Sequence, residues 1–162
     1  MGSRRVLLVP ALLVVLLSGC RTVPVRPAGK PVERTMLTTG YCSCGQCCGW
    51  RRTCWGVPVY ASGPKRGMRK QVGVTAIGTR ARHGTIAADM TRYPFHALMY
   101  IDGYGYGWVE DTGGDIKGDH IDLFFPSHRE AVAWGRRVKR VQIWYPRRRR
   151  RLTRARTRTG AG

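Results

Sequence analysis

Between residues 36 and 145 the chain consists of short runs of alternating or continuous apolar residues cut by glycine and proline: 36–41, 72–76, 84–88, 97–101, 105–109, 120–125 and 138–145. Successive side chains of a strand point to opposite faces, so runs of this length and period predict seven short strands, each with one buried face. A single helix is predicted over 128–135. Ser127 with Glu130 three positions on makes a capping box, Ala131, Val132 and Trp134 supply an apolar face, and Gly135 can close the last turn. Many short strands with one short helix predict an all-β fold, a small barrel or sandwich. The stretch from Gly49 to Gln71 carries Gly56, Pro58, Gly63, Pro64 and Gly67, and reads as a long surface excursion.

The amino terminus has a different pattern. Arg4 and Arg5 precede an apolar run from Val6 to Leu17, followed by Leu17-Ser18-Gly19-Cys20. The run is too short for the roughly 20 residues that cross a bilayer, so residues 1–19 are expected to be a signal peptide. The Leu-Ser-Gly-Cys sequence resembles a bacterial lipobox, which implies acylation of Cys20 and anchoring to a membrane. Arg21 in place of an aspartate points to the outer membrane and its periplasmic face in a Gram-negative cell. Residues 20–35, rich in proline, are expected to be the lipidated cysteine and a tether. Residues 36–146 form the domain.

Composition sharpens this division. The chain of 162 residues carries 29 Lys+Arg against 9 Asp+Glu, a formal net charge of +20. Five consecutive arginines, Arg147–Arg151, followed by Arg154, Arg156 and Arg158, predict a disordered tail over 147–162 that attracts polyanions. Export makes anionic lipid or an anionic wall polymer the expected partner of Arg147–Arg158; nucleic acid is not expected. The acids are concentrated instead. Every one except Glu33 lies between Asp89 and Glu130, and so tight a gathering in so basic a chain points to a local task.

Past Cys20, the cysteines are Cys42, Cys44, Cys47, Cys48 and Cys54. In an exported protein they are candidates for disulfides, with one left over. Cys42, Cys44, Cys47 and Cys54 could surround one zinc ion, but their spacing is not a pair of Cys-x-x-Cys knuckles. Gln46-Cys47 beside Trp50 also offers a nucleophile, with His83, His96, His120 or His128 as its base. Disulfides are the expectation adopted, with no metal and no cofactor.

The segment from Val109 to Phe125 carries the most chemistry. Glycines at 113, 114 and 118 allow sharp bends, which can bring Asp111 and Asp122 side by side. Apolar residues surround Asp122 in Ile121-Asp122-Leu123-Phe124-Phe125, and a carboxyl in that setting has a raised pKa, as a general acid requires.

The same segment, with Thr75-Ala76-x-Gly78-Thr79, Gly84-Thr85-Ile86-Ala87-Ala88-Asp89, Tyr93-Pro94, Gly103-Tyr104-Gly105, Asp111-Thr112-Gly113-Gly114-x-Ile116-Lys117-Gly118, Ile121-Asp122 and Ser127-His128-x-x-Ala131, resembles the three-aspartate (3D) domain family. That family is related to the carboxy-terminal domain of a membrane-bound lytic transglycosylase and to small secreted muralytic proteins. The resemblance spans about residues 36–145. It implies a six-stranded double-psi β-barrel acting on peptidoglycan, with Asp122 as acid/base, Asp111 beside it and Asp89 completing the cluster. Lys117, Gly113 and Gly114 are expected to bind substrate oxygens or carboxylates, and Tyr104 and Tyr106 to stack on sugar rings. The chain departs from the family pattern at His96, which stands where many members have glycine.

The expected function is cleavage of the MurNAc-β-1,4-GlcNAc bond by a cell-envelope lipoprotein, as a lytic transglycosylase forming 1,6-anhydro-MurNAc. The alternative is a non-catalytic peptidoglycan-binding or structural lipoprotein of the envelope.

Overall fold

The computed structural model describes residue 27 and residues 29–146. The expected signal peptide, Cys20 and the arginine-rich residues 147–162 lie outside the described residues. Ten elements follow one another: β1 (Val32–Tyr41), α1 (Gly45–Cys48), β2 (Trp50–Arg52), β3 (Pro58–Tyr60), β4 (Thr85–Ala88), β5 (Leu98–Ile101), β6 (Gly105–Asp111), β7 (His120–Phe124), α2 (His128–Trp134) and β8 (Arg137–Trp144). Six strands close a barrel in the order β1-β7-β4-β6-β5-β8, and β2 and β3 form a separate two-stranded sheet. The closed six-stranded barrel and the short capped helix expected from the sequence are both present.

Two of the barrel's pairings are parallel, β1 with β7 and β4 with β6; the other four are antiparallel. Inward positions recur every second residue, so the alternation read from the sequence becomes a dry interior of Met36, Ile86, Met99, Ile101, Val109, Ile121, Leu123, Val141 and Ile143. Each such side chain contributes on the order of 1.5–3 kcal/mol by leaving water. One buried polar residue ties the helix to the barrel. Thr38 donates from Oγ1 to the Arg137 carbonyl (3.0 Å) and accepts from Trp134 Nε1 (3.2 Å), so α2 is held over β1 with no hydroxyl orphaned. Ser127 and Glu130 form the reciprocal capping box.

Glu110 is the buried acid. It accepts from Thr85 Oγ1 (3.1 Å) and Thr79 Oγ1 (3.4 Å) and pairs with Arg82 (3.8 Å), a set of partners that offsets the cost of removing its charge from water. His96 has a φ of 65°, the left-handed region. That conformation explains the glycine that many members of the resembled family carry at this position.

Two expectations are corrected, and a third, the surface excursion, gains a short hairpin. Residues 72–76 form no strand; Thr75 and Thr79 bond each other's backbone and side chains around Gly78 at φ 84°, so the apolar run is a turn whose Ile77 N–H reaches the Glu110 carbonyl (3.3 Å). The excursion of residues 49–71 contains an ordered hairpin, β2–β3, with Val59 buried. Its glycines and prolines punctuate a turn, and strands of three residues are too short to show a period. Finally, β1 begins at Val32, inside the stretch read as a tether. Val32–Thr35 are exposed and show no apolar face, but they pair with β8 through Val32↔Ile143 and Thr35↔Arg140, and Glu33 forms an ion pair with Arg140.

Gly40 marks the closest approach of α2 to β1, since a Cβ there would lie 2.7 Å from the Ala131 carbonyl oxygen and 3.1 Å from its Cα. Both obstacles are backbone. Gly40→Ala is expected to lower stability by about 1–3 kcal/mol, measured by urea denaturation; an unchanged midpoint would show that α2 is free to move away.

Candidate active site

The register of the barrel sets four residues in one row. Thr39 of β1 lies opposite Asp122 of β7, Asp122 opposite Ala87 of β4, and Ala87 opposite Asp111 of β6. Neighbouring strands are about 4.8 Å apart, so the two aspartates flank a single methyl side chain. A shift in register between Ile86 and Ala87 brings Asp111 into this row, as a β-bulge does when it re-aims a side chain. The sequence reading placed the two aspartates side by side through the glycine turns; the structure instead inserts β4 between their strands. The glycine segment serves as a wall.

Asp122, Ala87 and Asp111 open on a cleft of about 480 Å³. Its walls come from the end of β1 and α1 (Tyr41, Gln46, Cys47, Cys48), from Lys70, Gln71, Gly73 and Val74, and from Thr112, Gly113, Gly114 and Asp115. Beside Asp111 the surface continues between Tyr60, Lys65, Arg69 and Lys70, so the hairpin segment lends a cationic rim. Lys70 Nζ stands 4.3 Å from the centre of the Tyr60 ring.

The two carboxyl groups have different surroundings. Asp122 is half-buried, and burial is the largest influence raising its pKa above the ordinary carboxyl value, with Asp111 pushing it further in the same direction. A hydrogen bond from Thr39 Oγ1 to Oδ1 (2.8 Å) and the nearby His120 act the other way. Thr39 gives its only proton to Asp122, so its oxygen is left to accept from His120 Nε2 at 3.0 Å. Asp111 accepts three hydrogen bonds: from Tyr41 OH (3.0 Å), Ala76 N (3.0 Å) and Thr112 N (2.9 Å). Tyr41 is buried, and burial followed by the Asp111 charge holds its phenol far above its ordinary pKa. It therefore remains a donor at any working pH.

Of the other expected site residues, Gly113, Gly114, Cys47 and Cys48 line the cleft, and the remaining described ones lie elsewhere. Asp89 is outside it. It accepts from Thr91 N (3.0 Å), Thr91 Oγ1 (2.8 Å) and Gly118 N (2.8 Å), and these bonds, the Gly118 amide first, lower its pKa to about 2. It anchors the far end of the glycine segment. Lys117 is exposed, with its charge beside Asp89. Tyr104 is buried in the core, donating to the Phe124 carbonyl (2.9 Å) and accepting from Gly84 N (2.9 Å); its ring has no face for a sugar. Tyr106 points outward against Tyr100 and Trp144, on the barrel's side. The alternation around glycine marks the two faces of a strand there, not a groove.

The five described cysteines form no disulfide, contrary to expectation. Cys47 and Cys48 line the cleft and Cys54 is exposed. Cys42 and Cys47 hold their sulfurs 3.7 Å apart, well beyond the bond length of about 2.05 Å. Thr39, Tyr41 and Ala87 were not singled out from the sequence. Thr39 and Tyr41 occupy alternate positions at the end of the first strand, so their shared face was visible, but their partners were not.

The 3D domain family model matches residues 84–146. The match begins just before β4 and includes Asp89, Asp111 and Asp122, while β1, the cysteines and the hairpin fall before it. Over 75 residues the chain is 41% identical to the cell wall-binding protein YocH of Bacillus subtilis, covering 44% of this chain and 25% of that one. It is 36% identical over 75 residues to YabE of the same organism, whose name refers to cell wall shaping, covering 44% and 18%. The matched region thus spans a quarter or less of these relatives. Among solved structures, the crystal structure of MltA from E. coli aligns with 21% identity and a TM-score of 0.37, over 45% of this chain and 28% of that one.

The raised pKa of Asp122 has a signed consequence. Between the unfolded value of about 3.9 and the higher folded value, the native state holds a proton that the unfolded chain has lost. Stability from this group is therefore full below the unfolded pKa and falls as pH rises through the folded one. Asp122→Asn cannot ionise and still accepts from Thr39. The variant is expected to exceed the parent in stability at pH 7, with the difference vanishing by about pH 3, in urea melts across pH. A variant less stable than the parent at pH 7 would contradict the assignment.

Proposed function

We propose that the protein cleaves the MurNAc-β-1,4-GlcNAc bond of peptidoglycan as a lytic transglycosylase of the cell envelope. The observation that carries this reading is the row in which a half-buried Asp122 with a raised pKa faces a hydrogen-bonded Asp111 across Ala87, on the floor of an open cleft.

Asp122 gives its proton to the bridging oxygen as the bond from C1 of MurNAc to that oxygen breaks, and GlcNAc leaves as an alcohol. The charge developing at C1 is stabilised by the carboxylate of Asp111, held in place by Tyr41, Ala76 and Thr112. The sugar's own 6-hydroxyl then bonds to C1 and passes its proton to Asp122, closing the 1,6-anhydro ring and restoring the acid. No water is consumed. One carboxyl acts first as acid and then as base, and the burial that raises its pKa suits the first step while Thr39 and His120 limit how far it rises. Lys65, Arg69 and Lys70 supply a rim for the carboxylates of muramyl peptides. Acylated Cys20 would hold the domain at the outer membrane's periplasmic face, and Arg147–Arg158 would add attraction to anionic lipid or wall polymer. The names of YocH and YabE favour a wall substrate, and YocH's name also favours the second reading, a barrel that grips glycan without cutting it.

Digestion of purified peptidoglycan with the full chain, followed by mass spectrometry, is expected to give anhydro-muropeptides. Asp122→Asn is expected to lower their rate by at least about 10²-fold while leaving sedimentation with the sacculus intact. Reducing-end products would assign hydrolysis, with Asp111 activating water. Sedimentation without any product would assign the binding role.

Ala87 gives a separate test, since the strand register sets it between the two aspartates. Ala87→Val is expected to reduce turnover more than affinity for the sacculus; equal loss of both would place the reacting bond elsewhere in the cleft.

A further inference from the structure

The parallel pairing of β1 and β7 delivers both strands to the same end of the barrel, where Tyr41 lies opposite Phe124 and Phe125 N donates to the Tyr41 carbonyl (2.7 Å). Past this point one chain enters the cysteine segment and the other enters α2. Cys42 is buried at the end of β1. Cys44 caps α1 and its sulfur accepts from Cys47 N at 3.4 Å. His128, the first residue of α2, is fixed by the capping box beside it. As a result, the sulfurs of Cys42, Cys44 and Cys47 and Nδ1 of His128 all lie within 4.8 Å of one another.

The separations have a specific meaning. Cys42 Sγ to Cys47 Sγ is 3.7 Å, Cys44 Sγ to His128 Nδ1 is 3.5 Å, and Cys47 Sγ to His128 Nδ1 is 3.4 Å. A tetrahedral zinc ion with bonds of about 2.3 Å to sulfur and 2.0–2.1 Å to nitrogen has sulfur–sulfur edges of about 3.8 Å and sulfur–nitrogen edges of about 3.5 Å. Hydrogen bonding explains the cluster poorly: Nδ1 has at most one lone pair, yet two sulfurs converge on it, and thiols are weak donors and acceptors.

We propose that Cys42, Cys44, Cys47 and His128 bind one structural Zn²⁺. Binding converts up to three thiols to thiolates and releases their protons. Four protein ligands leave no coordination position for substrate, which marks the ion as structural. The site joins the cysteine segment to α2, and thereby fixes Gln46, Cys47 and Cys48 as a wall of the cleft, next to the Tyr41 that holds Asp111. The tight turn it requires is built in: a Cβ on Gly45 would collide with the Trp50 carbonyl oxygen. The proposal is independent of whether the cleft cuts glycan. It departs from the expectation of disulfides without metal, and its fourth ligand is His128, 84 residues beyond Cys44, in place of Cys54.

The test is metal binding by the full chain, reduced and metal-stripped. Titration with Co²⁺ is expected to give the sulfur-to-cobalt charge-transfer band and tetrahedral visible bands, saturating at one ion per chain and lost on adding Zn²⁺. Cys44→Ser and His128→Ala are each expected to weaken zinc binding by about tenfold or more, whereas Cys54→Ser is expected to bind as the parent does. His128→Cys, which restores a ligand, is expected to recover the charge-transfer band and so separates lost coordination from lost folding. The proposal is overturned if the reduced chain takes up no Co²⁺, if Cys54→Ser is as damaging as Cys44→Ser, or if peptide mapping of the untreated protein finds Cys42, Cys44 or Cys47 in a disulfide.

Discussion

The parallel register between β1 and β7 is the constraint on which the rest of this molecule depends. It sets Thr39 against Asp122, so the carboxyl that burial pushes toward its neutral form has a hydroxyl to accept from. Two residues further, the same strand places Tyr41 where its phenol reaches Asp111. At its end, the pairing brings Cys42 to the start of α2 and to His128. A slip of one residue would turn Thr39 and Tyr41 to the opposite face and bring Thr38, which holds Trp134, out of the core. Stability and chemistry thus rest on one register, and the buried alternation of Met36 and Thr38 with Ile121 and Leu123 specifies it.

The acids divide by the neighbours the fold gives them. Glu110 is buried but satisfied by two threonines and Arg82. Asp119 accepts from Tyr93 OH (2.5 Å) and Arg92 (2.6 Å) and is held below its ordinary pKa by those partners, and Asp89 is held down by backbone amides. Each of these carboxylates is a tie between segments. Asp122 differs in that burial outweighs its hydrogen bonds, which is the environment of a proton donor and not of a tie. Of Asp89, Asp111 and Asp122, the last two face the cleft and Asp89 steadies the segment that forms one of its walls.

Much of the barrel was legible because its evidence is local. Alternation located six strands, and Ser127 with Glu130 located the helix. The apolar setting of Asp122 announced its raised pKa. What escaped was decided by contacts distant in sequence. Val32–Thr35 show no apolar face because β8 alone orders them; Tyr104 reads like Tyr106 until one is inside and the other outside; and Cys44 and His128 meet only through the barrel. The glycine turns suggested direct adjacency of Asp111 and Asp122, but strand order, with β4 between them, is a property of the closed sheet and has no local signature.

The most direct measurement of the central claim is a carboxyl ¹³C NMR titration of Asp122. A pKa above the ordinary value of about 3.9, lowered when Asp111→Asn removes the neighbouring charge and raised when Thr39→Val removes the donor, is the predicted result. An Asp122 that titrates at or below the ordinary value, indifferent to both substitutions, would contradict the coupling of the two carboxyls through the barrel's register.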